Sequence, residues 1–216
     1  MAAYRENIST DPIPEVLMNK KLLFLLVAAF IIGFPASFLR AEVHSWEIDK
    51  EHTNFYFSVK HIYAEVHGRF TDFKGSFHFN PDHAEESKFS FEIKVKSIDT
   101  GLRKRDRHLL SDDFLEASKY PLITFSSSSI TKADKNVYNV DGLLTIKGVS
   151  TNISVPLYHA GTRDHPLLKD TEVTGFNGRL VIDRLDYKVG DGTYYEMGVV
   201  GKDVSILLTT ELLRKK

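Results

Sequence analysis

The chain of 216 residues contains no cysteine. Disulfides and zinc sites built on thiolates are therefore excluded, and the hydrophobic core must hold the fold together. The sequence also lacks an excess of either charge, because 28 lysines and arginines stand against 29 aspartates and glutamates, a net charge of −1. Since neutralisation of phosphates supplies most of the affinity for nucleic acids, a nucleic-acid-binding function is disfavoured.

Long hydrophobic runs are absent apart from one segment near the N-terminus. Two lysines precede an apolar run over residues 22–34, and Pro35, small residues and a possible cleavage point after Ala41 follow. This run fits the roughly 7–15 residues of a secretory signal but is shorter than the roughly 20 that span a bilayer. We interpret residues 1–41 as an N-terminal extension and cleavable signal peptide, with translation starting at Met18, and an uncleaved anchor as the alternative.

Apolar and polar residues alternate along most of residues 42–216, which is the pattern of strands with one dry and one wet face. In residues 54–61, for example, Phe55, Phe57 and Val59 alternate with polar residues. About eight such segments, separated by turn residues such as the "DG" at 141–142, predict an all-β fold. We expect one domain that forms an eight-stranded antiparallel barrel, because closure removes exposed sheet edges.

The exception to this alternation is a charged stretch at residues 100–114, which contains four basic residues, three acidic residues and His108. Its broken apolar stripe predicts a short helical segment around residues 101–118, in which Ser111 caps a second short helix. Asp106 and His108 could form an acid–base pair, but residues two apart on a helix point in different directions. We therefore expect a surface helix in which Asp106 pairs with an arginine.

Other catalytic and metal-binding patterns are missing. The nine histidines show no close helical pair of the zinc-binding kind, and no serine lies in a G-x-S-x-G turn. The sequence therefore predicts no catalytic residue, no metal site and no cofactor. Arg184, between Asp183 and Asp186, is a candidate either for the barrel mouth or for a pair with Asp186.

The inward faces of the strands are rich in phenylalanine, and eight strands leave an interior that is either filled or lines one small ligand. Composition leaves both alternatives open. A cavity with such a lining would take an apolar ligand. Each buried methylene contributes roughly 0.8 kcal/mol, so a long tail outweighs one charge-assisted hydrogen bond of about 1.5–3 kcal/mol.

Five motifs occur in a fixed order along the chain: SIDTG at 97–101, RDRHL at 105–109, SDDF at 111–114, YPLITF at 120–125 and LTIKG at 144–148. In this combination the sequence resembles the YceI-like polyisoprenoid-binding proteins of bacteria. The resemblance implies a lipocalin-like barrel whose apolar tunnel holds an isoprenoid chain or another long amphiphile, such as an isoprenoid quinone or a polyprenyl phosphate. It also implies an exported, usually periplasmic protein without catalytic activity.

The same resemblance assigns the ligand-binding residues. On matching positions the tunnel lining is Phe55, Phe57, Val59, Phe77, Phe79, Phe91, Ile93 and Phe125, while Phe114 and Tyr120 border the entrance. Arg184 is added from its own position in the sequence, as a candidate to meet the head group. A homodimer and a transient contact with a membrane or membrane protein are compatible with this interpretation. The alternatives are an enzyme acting on a lipid head group through His108, Asp106 or Arg184, and a filled barrel that serves as an adaptor.

Overall fold

Eleven β-strands and two α-helices make up the part of the chain that the computed structural model describes, residues 44–216. The predicted signal peptide and the start at Met18 lie outside the described residues. The strands are β1 (His44–Ile48), β2 (Asn54–His61), β3 (Ala64–Phe70), β4 (Phe73–Phe79), β5 (Lys88–Lys94), β6 (Ile98–Asp99), β7 (Leu122–Asp134), β8 (Val137–Ile146), β9 (Val149–Asp164), β10 (Thr171–Asp183) and β11 (Val200–Lys215). The helices are α1 (Arg103–Leu110) and α2 (Thr193–Glu196), and two 3-10 turns cover Ala84–Glu86 and Val95–Ser97.

Eight of the strands close into an antiparallel ring in the order β1-β4-β5-β7-β8-β9-β10-β11. The ring closes where β1 pairs with the C-terminal part of β11, with Glu47 opposite Leu213 and Ile48 opposite Leu212. Closure leaves no free edge in this ring, which is the reason that favoured a barrel from the sequence. The predicted all-β, eight-stranded antiparallel barrel is confirmed.

The long strand β11 has a second partner. Its N-terminal part pairs with β2, from His61 opposite Val200 to Asn54 opposite Thr209, and β2 continues into β3 and the short β6. The linker between β1 and β2 is tied to β11 at Glu211. The Glu211 carbonyl oxygen accepts from the backbone N–H of Asp49 at 2.9 Å and from the Thr53 hydroxyl at 3.1 Å. As a result, β1 and β2 share β11 as a common neighbour.

An aromatic cluster closes the end of the barrel that lies away from α1, which we call the closed end. Phe79 lies at its centre, with ring centroids 4.9 Å from Phe176, 5.0 Å from His159 and 5.3 Å from Tyr138. The imidazole of His159 is hydrogen-bonded to the hydroxyl of Thr174 at 2.9 Å. The rings fill the closed end, and the Nε2 atom of His159 has a hydrogen-bond partner within it.

The helical segment begins and ends differently from the sequence prediction. Helix α1 is followed by turns over residues 111–119 rather than by a second helix. The Ser111 hydroxyl donates to the carbonyl oxygen of His108 at 2.8 Å, so Ser111 ends α1 instead of capping a new helix. Among the described residues, no helix combines the length and apolar character needed to cross a bilayer.

His159 predicts a pH dependence of stability. Burial lowers the pKa of this imidazole from its ordinary value of 6.5, because the apolar cluster disfavours the charged form. The neutral ring therefore contributes stability that is fully present above pH 6.5 and is lost as the pH falls, because the unfolded chain takes up the proton first. We expect the melting temperature to fall more steeply between neutral pH and pH 5 in the natural protein than in His159→Gln.

The exposed His67 provides the control for that measurement. His67→Gln removes one histidine without touching the closed end, so its melting temperature should follow the pH profile of the natural protein. Equal pH slopes in all three proteins, measured by thermal unfolding, would show that His159 is not the group responsible.

Candidate ligand-binding cavity

The barrel encloses an apolar cavity of about 170 Å³ beneath α1, here called the outer cavity. Strands β2, β5, β8, β10 and β11 contribute alternate side chains to it, and α1 with its following turn contributes Leu109, Phe114 and Leu115. The loop between β10 and α2 adds Tyr187 and Val189. Alternation along the strands thus delivers aliphatic and aromatic groups to one enclosed space, and the helix covers it.

A second cavity of about 70 Å³ lies deeper in the barrel and is here called the inner cavity. Four residues line both cavities: Phe55, Phe91, Leu144 and Ile206. The ring centroids of Phe55 and Phe91 are 5.1 Å apart, and Phe91 also stacks on Phe125 at 5.3 Å. These four residues form a constriction between the outer and inner cavities.

The structure places the predicted ligand-binding residues in the two cavities and at two positions outside them. The outer cavity is lined by Phe55, Phe57, Val59, Phe91, Ile93, Phe114 and Arg184. The inner cavity is lined by Phe77 and Phe125 together with Phe55 and Phe91. Phe79 lies instead in the aromatic cluster of the closed end, and Tyr120 packs against Gly148. The geometry therefore brings nine of the eleven to the two cavities, and their role in binding stays a prediction.

Several lining residues were not among the sequence candidates. Tyr187 and Val189 come from an irregular loop that carries no periodic signal. Ile182 and Ile206 come from alternating strands, so their inward direction was predictable, but their depth along the barrel was not. Tyr187 is 2% exposed, and this burial raises the pKa of its hydroxyl. The neutral phenol is therefore the form that borders the cavity.

Arg184 lies in the wall of the outer cavity and is 5% exposed. Its guanidinium donates to three backbone carbonyl oxygens: Gly201 at 2.9 Å, Val189 at 2.6 Å and Val200 at 3.3 Å. The expected pair with Asp186 is therefore replaced by carbonyl contacts that join the β10–α2 loop to β11. Burial lowers the pKa of Arg184, although the group stays charged.

Local backbone geometry supports this position of Arg184. Gly190 has φ +87°, a conformation that side chains disfavour, and a Cβ there would come within 2.4 Å of the Arg184 Nη1 atom. Asp183 pairs instead with Lys202 at 2.7 Å, and this contact lowers the pKa of its carboxyl. Three of the five N–H donors of the guanidinium are used within the protein.

Phe57 reaches the outer cavity because its neighbour is glycine. Gly68 of β3 lies directly opposite Phe57 of β2. A Cβ at Gly68 would come within 2.3 Å of the Phe57 ring, so the ring lies across the strand where a side chain would otherwise stand. The Phe70 ring packs against it with centroids 5.7 Å apart.

A groove of about 380 Å³ leads from the outer cavity to the surface. The groove shares Phe57, Val59, Leu109, Phe114 and Val200 with the outer cavity and is bordered on the outside by Lys104, Arg105, His108 and Tyr194. We call this groove the mouth. Its apolar floor and charged border match the requirement of a ligand with an apolar tail and a polar head.

The charged residues of α1 do not assemble a catalytic group. The Asp106 carboxylate accepts from the Thr100 backbone N–H at 3.0 Å and from its hydroxyl at 2.6 Å. His108 Nε2 instead contacts the Asp113 carboxylate at 3.0 Å, in an exposed position. Arg105 also donates to Thr100, so Asp106 and Arg105 meet through that residue rather than as the direct pair expected from the sequence. Asp106 and His108 therefore point to different partners.

Within residues 44–216, one group of His, Asp and Glu side chains brings its potential metal ligands within 4.8 Å of one another: Asp49, His52 and Glu211. The Asp49 carboxylate is already hydrogen-bonded to His52 Nδ1 at 2.8 Å, and His52 is exposed. Exposed groups of this kind are common in proteins without a metal. The absence of a metal site stays a prediction.

The family model of the YceI-like domain matches residues 46–212. The chain belongs to the YceI-like family. A UPF0312 protein of Pectobacterium atrosepticum is 32% identical over 202 residues, which cover 92% of this chain and 100% of the relative. Protein YceI of Escherichia coli O157:H7 is 30% identical over the same shares of the two chains.

Solved structures share the fold of this YceI-like chain. Burkholderia cenocepacia BcnA superimposes with a TM-score of 0.67 at 29% identity. The match covers 78% of this chain and 99% of BcnA. A polyisoprenoid-binding domain from Saccharophagus degradans has a TM-score of 0.60 and covers 79% of this chain and 98% of that domain. At 16% identity, the second match shows the fold alone.

Gly68 provides a test of how the mouth is shaped. Gly68→Ala should displace the Phe57 ring into the outer cavity and destabilise the protein by about 1–3 kcal/mol, as expected for overpacking. Gly175→Ala is the matched control, since its Cβ would meet neighbours at an ordinary 3.5 Å. Urea unfolding measures both. If Gly68→Ala lowers the free energy of unfolding no more than Gly175→Ala does, the Phe57 ring moves aside without destabilising the protein.

Proposed function

We propose that this YceI-like protein binds the hydrocarbon chain of an isoprenoid or similar amphiphilic lipid inside the barrel, for transport or storage and without chemical change. The observation that carries the proposal is the continuity of the mouth, the outer cavity and the constriction. Shared residues connect each space to the next, and the lining of the two cavities is apolar apart from Arg184 and two tyrosines. An extended tail fits this arrangement better than a compact polar metabolite.

The magnitudes support affinity that comes from the tail. Each methylene that leaves water contributes roughly 0.8 kcal/mol, whereas one hydrogen bond to a charged group contributes roughly 1.5–3 kcal/mol. A few isoprene units therefore outweigh any single contact at the head. The tail supplies affinity, and the polar border of the mouth supplies selectivity among head groups.

The head-group end of the proposed ligand lies at the mouth, where the cationic side chains of Lys104 and Arg105 border the groove. Isoprenoid quinones offer carbonyl acceptors and polyprenyl phosphates offer anionic oxygens, so both classes suit such donors. We propose the periplasm as the location, on the basis of the signal-like segment at residues 22–34. A carrier there would hold a tail that is insoluble in water.

The family points to a binding protein rather than to an enzyme. The described geometry supports the same conclusion, since Asp106 is bonded to Thr100 and His108 to Asp113 at the surface. The Saccharophagus domain of the same fold is a polyisoprenoid-binding domain, which supports an isoprenoid as the ligand class. No cofactor is needed for such a role.

The direct test is organic extraction of the purified protein followed by mass spectrometry. The proposal expects an unmodified long-chain lipid in a ratio near one per chain. A protein that is consistently free of lipid, and that takes up none from mixed micelles of isoprenoid lipids, would overturn it. Turnover of a prenyl diphosphate that disappears in His108→Ala would establish the enzyme instead.

Phe91 provides a sharper prediction, because its ring lines both cavities. Phe91→Trp should narrow the constriction and shift the recovered lipids toward shorter tails, whereas Phe57→Trp should reduce total uptake at the mouth. Tyr158→Trp, on the exposed face of β9, is the matched control and should leave the lipid profile unchanged. An unchanged tail length in folded Phe91→Trp would remove the inner cavity from the binding site.

A further inference from the structure

Five large apolar side chains are exposed around the mouth, and we call them the rim patch: Ile62, Tyr63, Leu102, Tyr195 and Met197. Tyr63 is 100% exposed and Met197 is 67% exposed. Single exposed apolar residues are ordinary on protein surfaces, but a contiguous group beside a binding site indicates an interaction surface. The rim patch therefore needs a partner that accepts apolar side chains.

Three separate segments bring the rim patch together. Ile62 and Tyr63 form the turn of the β2–β3 hairpin, and the Ile62 backbone N–H donates to the Val199 carbonyl oxygen at 2.9 Å. That bond places the hairpin beside Tyr195 and Met197, which precede Val199 in the chain. Leu102 lines the same mouth as Val199 and His61. The exposed side chains thus surround one opening.

The backbone of the β2–β3 turn, which carries part of the rim patch, has an unfavourable conformation. Ile62 has φ +53°, in the left-handed region that a β-branched residue strongly disfavours. Glycine or asparagine would relieve this strain. The strained turn instead holds an isoleucine that is 45% exposed and a tyrosine that is fully exposed at the mouth.

Cations lie next to the patch. Arg103, Lys104 and Arg107 are exposed on α1, and none of them makes an ion pair with the described residues. Arg105 donates to the hydroxyl and carbonyl oxygens of Thr100. The exposed acids on the segments around the mouth include Asp112 and Asp113 after α1, Glu196 of α2 and Glu65 of β3. Helix α1 itself carries four cations against one acid, Asp106, and is therefore the positively charged border of the mouth.

We propose that the rim patch docks the mouth of the barrel onto the surface of a lipid bilayer that contains anionic phospholipids. Tyrosines with apolar neighbours are the residues that favour the interface between head groups and acyl chains, and adjacent cations bind the phosphates. The mouth would then face the bilayer, so that a tail passes between membrane and cavity without crossing water. That purpose rests on the proposed lipid binding, whereas the docking itself does not.

The closed end provides the internal comparison. Leu167, in the β9–β10 hairpin, is 88% exposed and lines neither the mouth nor the outer cavity. Its neighbours include Asp164, paired with Lys216, and the exposed Lys169. Leu167→Ser and Lys169→Gln therefore match the rim substitutions in chemistry but lie at the other end of the barrel.

The experiment is sedimentation of the purified protein with vesicles of phosphatidylcholine alone or mixed with phosphatidylglycerol. Tyr63→Ser should weaken binding to the mixed vesicles roughly 10-fold, and Arg103→Gln with Arg107→Gln should weaken it on the order of 5-fold per cation. Both Leu167→Ser and Lys169→Gln should bind like the natural protein. Binding should be weaker to phosphatidylcholine alone and should fall with added salt.

Other outcomes would overturn the proposal. Equal losses in the closed-end controls, or no vesicle binding by the natural protein, would show that the rim patch does not dock on a bilayer. Capture of a specific protein that is lost in Tyr63→Ser, without vesicle binding, would assign the patch to a protein partner instead. Titration calorimetry with farnesol separates the two proposals, since a failure of lipid uptake with intact vesicle binding affects only the proposed function.

Discussion

The pairing of β11 with two different partners is the constraint on which the rest of the structure depends. Its C-terminal part closes the ring against β1, and its N-terminal part carries β2 and the hairpin that follows. Thr53, 2% exposed, joins the two partners to β11, because its hydroxyl donates to the Glu211 carbonyl oxygen and accepts from the Glu211 N–H. Without this shared strand, the barrel would have an open edge and the mouth would lose one wall.

Arg184 shows how one charged side chain can organise a site without contacting another charge. Three carbonyl oxygens from two segments surround its guanidinium, so the β10–α2 loop is held against β11 by a buried cation. Removing such a group would leave several carbonyl oxygens unsatisfied in an apolar environment, which costs about 1–3 kcal/mol for each lost partner. The contacts of Arg184 in the cavity wall are thus structural.

The sequence predicted the faces of the strands better than their depth in the barrel. Phe77 and Phe79 are two residues apart and lie on the same face of β4. Phe77 nevertheless borders the inner cavity, whereas Phe79 belongs to the closed end. Period two reports direction, while depth depends on the tilt and register of eight strands. The partners of Arg184 were also unpredictable, because backbone carbonyls have no residue-specific signal. Val189 reaches the cavity from a loop without any periodicity.

The constriction at Phe55 and Phe91 has a kinetic consequence. A chain that reaches the inner cavity must displace rings that pack against each other and against Phe125, and such rings move only when their neighbours give way. For a lipid bound as proposed, the residence time would depend on the stiffness of the barrel interior and not on equilibrium affinity alone. A long tail threaded past these rings would leave slowly, and a short one held only in the outer cavity would exchange quickly.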